Sequence, residues 1–357
     1  IMGDTELCPY DAGTWGSLTT RFTDPVLRAA AAEAREVLLE MAAEKLDTSK
    51  EKLKVKDGVV YGANTKISYA ELTSGQKIVR ELKVKPEIKK ASDFKIIGKP
   101  VISMDAKEKV TGKAMFTGDI RLPGMVYAVV VRPDIYGAEA ISVDSSGLSA
   151  FEDVELFQDK NLIAVTHSDP EIAKKAARKI KVNWKEPKTR FNNKTVFNYF
   201  EENLKEGRTF EEGGDISTGK SASDKVVTTN YEDGYVAHAT IETHAATCYY
   251  EGDKLVMWAS TQTPFGTRRQ VAGALGVPEE KVHVKQIYVG GGFGGKAYNP
   301  QAVEVAKICQ KIQKPVQLVW NRSEEFMYDG FRTAALMKTT AGVDKEGKLT
   351  LWDFDIY

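Results

Sequence analysis

The chain has 357 residues, enough for two or three packed domains, and its hydrophobic fraction of 42% is ordinary for a globular protein. Fifty basic residues balance fifty acidic ones, so no overall field favours nucleic acid or an anionic membrane as a partner. No apolar run approaches the roughly 20 residues that a membrane-spanning helix needs. The three cysteines, Cys8, Cys248 and Cys309, are scattered, which argues against an iron–sulfur cluster or a zinc ribbon held by this chain.

The first region, residues 1–96, opens on a segment rich in Gly, Thr, Ser and Asp, DTELCPYDAGTWGSLTT at 4–20, which predicts a loop. A helix is predicted next, with Asp24 as its N-cap and Pro25 at its first helical position. The alanine-rich stretch that follows has the 3.6-residue spacing of apolar positions typical of a helix.

Two further features are predicted before residue 97. Asp57-Gly58 separates two short β-prone runs and predicts the turn of a hairpin. The lysine-rich stretch 76–96 is interpreted as a connector that contains one strand, with its lysines on a solvated face.

The middle region, residues 97–204, carries β-branched and aromatic runs, a helix at 169–179 and a strand at 180–184, which predicts a β-rich α+β unit. Residues 205–225 are polar and rich in Gly and Ser, and they predict an exposed linker. Residues 226–357 alternate strands with helices at 268–275 and 300–313. The whole chain is therefore predicted to be α+β.

The most unusual stretch is Gly290-Gly291-Gly292-Phe293-Gly294-Gly295, placed between a predicted strand and a predicted helix. Glycine allows positive φ and has no Cβ, so a ligand can approach its backbone closely. A tight turn needs only one or two glycines, and five in six positions favour a binding loop. Exposed N–H groups near a helix start suit an anionic or oxo group.

The same run contains a Gly-x-Gly-x-x-Gly pattern, formed by Gly290, Gly292 and Gly295, so a dehydrogenase that uses the nicotinamide dinucleotide NAD is an alternative. That alternative requires an acidic residue at the end of the next strand to bind the ribose hydroxyls. The next predicted strand ends at Trp320-Asn321, and no acidic residue follows until Glu324.

In combination, several segments resemble the large, molybdopterin-binding subunit of the molybdenum hydroxylases, the family of xanthine dehydrogenase and aldehyde oxidoreductase. They are VGGGFGGK at 289–296, YVAHATIETHAA at 235–246, WASTQTPFGTRRQVAGALGVPEEKVHV at 258–284, and KVTGKAMFTGDIRLPGM at 109–125. The last of these resembles the opening of the family's hammerhead domain. Because the segment 4–20 resembles a cofactor loop and precedes the hammerhead-like region, the order is similar to the isoquinoline oxidoreductase-like branch.

The resemblance implies a molybdenum–molybdopterin cofactor, either alone or in a dinucleotide form, and it implies roles for residues. Gln262 would hydrogen-bond an oxygen ligand of the metal, and Arg332 would face the substrate; these are the implied catalytic residues. The implied cofactor-binding residues are Gly16, Ser17, Thr19, Gln262, Gly291, Gly292, Phe293 and Gly294. No protein side chain is expected to ligate the metal. An amide can donate to an oxo group, and hydroxyls with backbone N–H groups suit phosphate.

Two simpler interpretations stand beside these roles. His238 and His244 flank Glu242, which superficially suggests zinc, but the stretch is typical of a loop leading into a strand rather than of the helix of a His-Glu-x-x-His site. A structural hydrogen-bonding role is therefore expected for both histidines. Arg332 lies close to acidic residues and could serve as an ion-pair partner.

The implied activity is hydroxylation of an aldehyde or an aromatic heterocycle with water-derived oxygen. The electrons would pass to iron–sulfur clusters on a small [2Fe-2S] subunit, with a flavin or cytochrome acceptor as a further partner. Two departures matter: the family's Gly-x-Gly-Glu motif, which holds the catalytic base, is absent, and Ala297 stands where purine-oxidising members often have a glutamate. A purine substrate is therefore not expected.

Ile1-Met2-Gly3 is not typical of a natural start, and the last nine residues have the pattern of an interrupted strand. We therefore expect a fragment or a split subunit that is inactive alone, with its localisation open. A cofactor-free structural subunit is the second alternative.

Overall fold

The computed structural model describes residues 3–80, 85–188, 191–205 and 207–357. Helices and strands both contribute, which confirms the mixed α and β content predicted from the sequence. The α-helices, in chain order, are α1 (Thr19–Lys45), α2 (Tyr69–Thr73), α3 (Ala106–Val110), α4 (Pro170–Ala177), α5 (Val196–Glu202), α6 (Ile216–Ser221), α7 (Pro264–Leu275), α8 (Pro300–Ile312) and α9 (Arg322–Tyr328).

The strands form four sheets. In chain order they are β1 (Lys54–Lys56), β2 (Val59–Tyr61), β3 (Lys66–Ser68), β4 (Val126–Val130), β5 (Glu139–Asp144), β6 (Glu155–Asp159), β7 (Leu162–His167), β8 (Lys181–Lys185), β9 (Lys225–Asp233), β10 (Ala245–Glu251), β11 (Lys254–Ala259), β12 (Val282–Lys285), β13 (Val316–Val319), β14 (Ala335–Val343) and β15 (Leu349–Ile356). None of the helices in the described residues is both long and apolar enough to cross a bilayer.

The chain divides into two compact units, one of residues 14–113 and the other of the described residues within 1–13 and 114–357. Strands β4, β6 and β7, from the predicted middle region, join the same sheet as β10 to β13. These two units do not coincide with the regions predicted from the sequence, whose boundaries lie at residues 97 and 205. The predicted domain boundaries therefore stay predictions.

In the unit of residues 14–113, helix α1 packs on the sheet β1-β2-β3. The helix begins at Thr19, so the predicted start at Asp24 is wrong, and Pro25 lies inside the helix. Phe22 N–H already donates to Leu18 O at 2.9 Å. Proline removes only its own hydrogen bond, to the carbonyl four residues earlier, and the helix continues past it.

The hairpin in this unit is confirmed. Asp57 and Gly58 both have positive φ, 52° and 74°, as a two-residue turn matched to strand twist requires. The strand predicted in the connector is absent from 76–80 and from 85–96, and residues 81–84 lie outside the described part of the chain.

The other unit is built on a seven-stranded sheet of order β12-β11-β10-β13-β4-β7-β6. Helices α7 and α8 pack on it over a core of buried aliphatic side chains. Strand β11 is parallel to β12, and β10 is antiparallel to both β11 and β13. The segments after β11, β12 and β13 and the segment before β10 therefore all meet at one edge of the sheet.

The predicted linker, residues 205–225, contains helix α6. Asp215 caps α6 by accepting from Thr218 N–H at 2.7 Å. The helix lies close to β15 of the sheet β15-β14-β9, because Gly219 approaches Thr350 O so closely that an added Cβ would be 2.7 Å away. Residues 207–214, before the cap, are exposed and irregular and form the open part of the predicted linker.

The segment of residues 3–13 is not an isolated loop but pairs with β12. Thr5 N–H donates to Val284 O at 3.1 Å, and Val284 N–H donates to the Thr5 hydroxyl oxygen at 3.0 Å. His283 Nε2 lies 2.7 Å from an Asp4 carboxylate oxygen. His283 therefore has a structural role, holding this segment against β12.

Candidate functional site

The glycine run forms a loop whose backbone only glycine adopts easily. Gly291, Phe293 and Gly294 have φ values of 97°, 55° and 112°. Positive φ at an aromatic residue such as Phe293 is uncommon and indicates that the surroundings impose it. The Phe293 side chain is 75% exposed, whereas Gly292 and Gly295 are buried. The loop therefore has a buried base and an exposed apex.

Two other glycines are required by crowding rather than by φ. A Cβ added to Gly290 would lie 2.4 Å from Glu242 Cβ, and one added to Gly292 would lie 2.4 Å from Gln262 Oε1. Real Cβ atoms do not approach other atoms so closely. The loop thus needs glycine for two separate reasons, which accounts for its density of glycines.

Gln262 follows β11 and reaches the loop at its apex. Its Oε1 accepts a hydrogen bond from Gly294 N–H at 2.9 Å, and its own N–H donates to Lys296 O at 2.8 Å. Oε1 is thus engaged as an acceptor, and Nε2 is the donor of this side chain. The structure brings together Gln262, Gly292, Phe293 and Gly294, which the sequence had grouped.

The glycine run lies between a strand and a helix, as predicted, but it does not lead directly into the helix. Strand β12 ends at Lys285, and helix α8 begins at Pro300, with only a short 3₁₀ turn at Gly295–Ala297 between them and the loop. Strands β12 and β13 are also separated by β11 and β10 in the sheet. A dinucleotide-binding βαβ unit needs adjacent strands and an immediate strand–loop–helix, so the nicotinamide alternative is not favoured.

Arg332 forms an ion pair outside the loop. Its guanidinium donates to Asp233 Oδ1 at 2.6 Å and to Gly234 O at 3.2 Å, and its side chain is half exposed. Its backbone exchanges two hydrogen bonds with Val236. The ion-pair interpretation therefore describes its contacts in this structure, although the partner is Asp233 rather than the acidic residues adjacent in sequence.

Gly16, Ser17 and Thr19 belong to the unit of residues 14–113. Gly16 and Ser17 have positive φ, 51° and 57°, and Thr19 is the first residue of α1. All three are exposed. Leu18, between Ser17 and Thr19, provides no side-chain cap for α1. N–H groups of the first helical turn are therefore compatible with the predicted phosphate contact.

Gly13, which the sequence analysis did not single out, contacts the Gln262 segment. Its φ is 109°, and an added Cβ would lie 2.7 Å from Gln262 O and 2.6 Å from Thr263 Cγ2. The segment of residues 3–13 thus supports Gln262 from the backbone. Gly13 is one of several glycines in this loop, and nothing in the sequence around it predicts such a contact.

Sequence reasoning also missed a buried cluster of charges beneath the loop. Glu242 Oε2 accepts from Gly290 N–H and from Lys296 Nζ, both at 2.7 Å. The Lys296 side chain is fully buried. Burial lowers the pKa of Lys296, and the Glu242 carboxylate opposes that shift. A lysine directly after a glycine run is typical of a surface residue, so the sequence gives little warning of this pair.

The histidines have the structural roles expected for them. His244 Nδ1 lies 3.0 Å from Glu325 Oε2, and His244 N–H donates to the same oxygen at 2.8 Å. His238 Nδ1 lies 3.1 Å from Asp329 Oδ2. In the described parts of the chain, no group of three or more His, Cys, Asp or Glu side chains is arranged to hold a metal ion.

Comparison with protein families defines the chain as a molybdopterin-binding protein. A molybdopterin cofactor-binding domain model matches residues 196–357, and a second model of that description matches residues 1–129. One of the subunits of nicotinate dehydrogenase from Pseudomonas putida is 27% identical over 99% of this chain and 31% of its own length. The beta chain of isoquinoline 1-oxidoreductase from Brevundimonas diminuta is 25% identical over 92% of this chain and 48% of its own length.

Solved structures share the fold. Quinoline 2-oxidoreductase from Pseudomonas putida 86 superposes with a TM-score of 0.60 at 21% identity, over 71% of this chain and 38% of that one. Aldehyde oxidoreductase from Desulfovibrio desulfuricans gives a TM-score of 0.61 at 18% identity, over 71% of this chain and 34% of that one. The chain belongs to the family of molybdopterin-binding large subunits of molybdenum hydroxylases, and its cofactor is molybdenum–molybdopterin. It spans about a third to a half of the two relatives described above.

Proposed function

We propose that this chain is the molybdopterin-binding part of an oxidoreductase that hydroxylates an aldehyde or an aromatic heterocycle with water-derived oxygen. The observation that carries the proposal is the hydrogen bond from Gly294 N–H to Gln262 Oε1, which fixes the exposed apex of a glycine loop beside a polar amide. At that apex no Cβ intervenes at Gly294, so a polar group can approach the backbone. The residues present therefore suit the cofactor that the family binds.

Each residue would have a separate task. Gln262 Nε2 would donate to an oxygen of the cofactor, while Phe293 and Gly294 would line it with a side chain and with backbone. Gly16, Ser17 and Thr19 would hold the phosphate of the cofactor, either as molybdopterin or in a dinucleotide form. Arg332 would break its ion pair with Asp233 and face the substrate. When bound, the cofactor supplies the two-electron oxidation of the substrate.

The favoured substrate class is the nitrogen-containing aromatic heterocycles other than purines. The relatives are named for nicotinate and isoquinoline, both of this class. Ala297, which follows the loop, offers no side chain to hydrogen-bond a purine. Aldehydes remain the second class to assay.

Partner subunits complete the proposal. The relatives are named as subunits, and electrons would pass from the cofactor to a small [2Fe-2S] subunit, then to a flavin or cytochrome acceptor.

Cys248 and Cys309 are buried and adjacent, with Cys309 Sγ 3.8 Å from Cys248 O, so they serve as core residues. Burial, with the Cys309 thiol nearby, raises the pKa of Cys248 well above its usual value, as in an inert thiol.

The domain assignment is part of the same proposal. Residues 97–204 would correspond to the family's hammerhead domain, flanked by molybdopterin-binding parts at 1–96 and 226–357. The support is the resemblance of the segment 109–125 to the opening of that domain. Neither molybdopterin-binding domain model covers residues 130–195, which leaves room for a separate module there.

The test is metal and pterin analysis of the complete native complex, followed by assays with nicotinate, isoquinoline and aldehydes. We expect stoichiometric molybdenum and hydroxylation of a heterocycle. The 357-residue chain alone is expected to be inactive, since it lacks the Gly-x-Gly-Glu motif. A complex without molybdenum would favour a cofactor-free structural subunit, and turnover that depends on added NAD without molybdenum would favour the nicotinamide alternative.

A further inference from the structure

One carboxylate joins the two ends of the glycine loop. Glu242 Oε2 accepts from Gly290 N–H, where the loop begins, and from Lys296 Nζ, where it ends, both at 2.7 Å. Glu242 N–H in turn donates to Gly290 O at 3.1 Å. The whole glycine run is thereby closed into a ring by a single side chain that lies before β10.

Lys296 extends this closure to Gln262. Its carbonyl accepts from Gln262 N–H at 2.8 Å and lies 3.3 Å from the Thr261 hydroxyl, while its ammonium reaches Glu242. One residue therefore holds the Gln262 segment with its backbone and the Glu242 segment with its side chain. The three segments converge because β10, β11 and β12 are neighbours in the sheet.

Burial of this ion pair costs desolvation free energy. The Lys296 side chain is fully buried and the Glu242 side chain is 15% exposed. Within the described residues, Glu242 Oε1 is buried and has no hydrogen-bond partner. A buried ion pair of this kind adds little net stability compared with apolar residues, but it fixes geometry strongly, because removing either partner leaves a buried charge unpaired.

We propose that Glu242 and Lys296 are positioning residues that close the glycine loop into the shape in which Gly294 meets Gln262, before any cofactor is bound. The inference rests on the proposed function only for the identity of the group that the loop receives. Neither side chain need touch that group, since both act through the backbone of Gly290 and Lys296.

The experiment measures amide hydrogen exchange in the complete complex, with and without cofactor, for peptides of the loop and of the core strand β11. Lys296→Met keeps the length of the side chain and removes its charge. We expect loop exchange to rise about tenfold or more, equivalent to about 1.4 kcal/mol of lost local stability, while β11 is unchanged. Lys307→Met is the matched control, because Lys307 pairs with Asp159 at 2.6 Å in the same unit, away from the loop.

Glu242→Asp is the second variant, in case Lys296→Met fails to fold. It keeps the charge but shortens the reach by one methylene, so it cannot hold both donors, and it should also loosen the loop. Glu242→Gln keeps the reach and an acceptor for Gly290 N–H, but it leaves the Lys296 ammonium buried without a counter-charge, so it should also loosen the loop. Loop exchange that stays at the wild-type rate in Lys296→Met and Glu242→Asp, or that rises equally in β11, overturns the inference.

Molybdenum content separates this inference from the proposed function. A loosened loop with reduced molybdenum supports both. A loosened loop that retains full molybdenum still supports the positioning role, but it overturns the assignment of the loop to the cofactor site.

Discussion

Gln262 Oε1 accepts the backbone N–H of Gly294 at 2.9 Å, so a side chain that follows one strand fixes the apex of a loop that follows its parallel neighbour. The contact is possible only because Gly292, which lies between the two groups, has no Cβ. The pairing of an amide with a glycine loop thus follows from the sheet order. Its consequences can be measured with single substitutions.

Gly292→Ala should displace Gln262 without disturbing the backbone conformation greatly, because Gly292 does not have a positive φ. The new methyl would lie 2.4 Å from Gln262 Oε1 and 2.7 Å from its Cδ, so the amide must leave Gly294. We expect turnover of the complete complex to fall while most molybdenum stays bound, with unchanged circular dichroism. Gly273→Ala is the control: it lies in α7 with nothing within 4 Å, and it should be neutral or stabilising by about 0.5–1 kcal/mol. Equal turnover in the two variants would contradict the prediction.

Gly294→Val should be more severe than Gln262→Ala. At Gly294 φ is 112°, and a Cβ would meet His238 Nε2 at 3.0 Å, so valine strains the backbone and occupies the apex. We expect cofactor to be lost while the remaining fold stays intact. Gln262→Ala removes hydrogen bonds of roughly 1–3 kcal/mol to a strongly polar group, so cofactor should largely stay while turnover falls.

Molybdenum content, pterin fluorescence and NAD affinity on both of these variants decide the assignment. Weakened NAD binding in Gly294→Val, with no effect of Gln262→Ala, would support the nicotinamide alternative. Full metal and full activity in both would show that the loop is not at the molybdenum site.

Arg332→Ala tests whether this residue has a task beyond its ion pair. An exposed pair such as Arg332–Asp233 contributes about 0–1 kcal/mol, so the free energy of unfolding should scarcely change. If Arg332 faces the substrate, kcat/KM of the complete enzyme should fall by about a hundredfold, equivalent to about 2.7 kcal/mol. Asp233→Ala is the matched control, since it breaks the same pair from the other side. Equal losses of activity in both variants would reduce Arg332 to a structural partner.

The parts of the site that could be predicted from sequence are those with a local signature. The glycine run and the Ser-Thr-Gln segment are each recognisable alone, and so is the Asp57-Gly58 hairpin. Their meeting depends on β11 and β12 being parallel neighbours, which no local pattern specifies. The family resemblance supplied that relationship for Gln262 and Gly294.

The parts that could not be predicted depend on tertiary contacts between residues distant in sequence. The buried Lys296 ammonium is paired with a carboxylate that is distant in sequence. Glu242 lies 54 residues away along the chain, but its Oε2 is 2.7 Å from Lys296 Nζ. Gly13 contacts Gln262 because residues 3–5 pair with β12. The helix start was predicted at Asp24 instead of Thr19 because proline is most often found in the first turn of a helix. Here an alanine-rich helix accommodates Pro25 further inside.

Limited proteolysis should cut first in the open part of the predicted linker, residues 207–214, and not in α6. These residues are exposed and irregular, and Arg208 offers trypsin a site, whereas α6 lies close to β15. Cleavage there should leave fragments of about 23 and about 16 kDa, at roughly 110 Da per residue with cutting at exposed loop tips. Arg208→Gln should delay the cut. First cleavage within 98–186 would count against the predicted boundaries of the middle region.

Glu325 should make stability sensitive to acid. Burial raises the pKa of this carboxyl, but hydrogen bonds from the His244 ring, the His244 N–H and the Thr240 hydroxyl outweigh it and hold the pKa below the ordinary value of 4.5. A group whose pKa is lower in the folded state stabilises the protein fully above its unfolded pKa. That contribution is lost as the pH falls from about 4.5 through the folded pKa.

Glu325→Gln should therefore cost about 1–3 kcal/mol at neutral pH, because hydrogen bonds to a buried charged acceptor are weakened. The difference from wild type should shrink as the pH falls below about 4.5, where the wild-type carboxylate also becomes neutral. Denaturant unfolding at pH values from roughly 3 to roughly 7, which bracket that value, measures it. Glu211→Gln, at an exposed position of the linker, is the control and should leave the profile unchanged. A constant difference across this range would mean that Glu325 stabilises the fold through its shape rather than its charge.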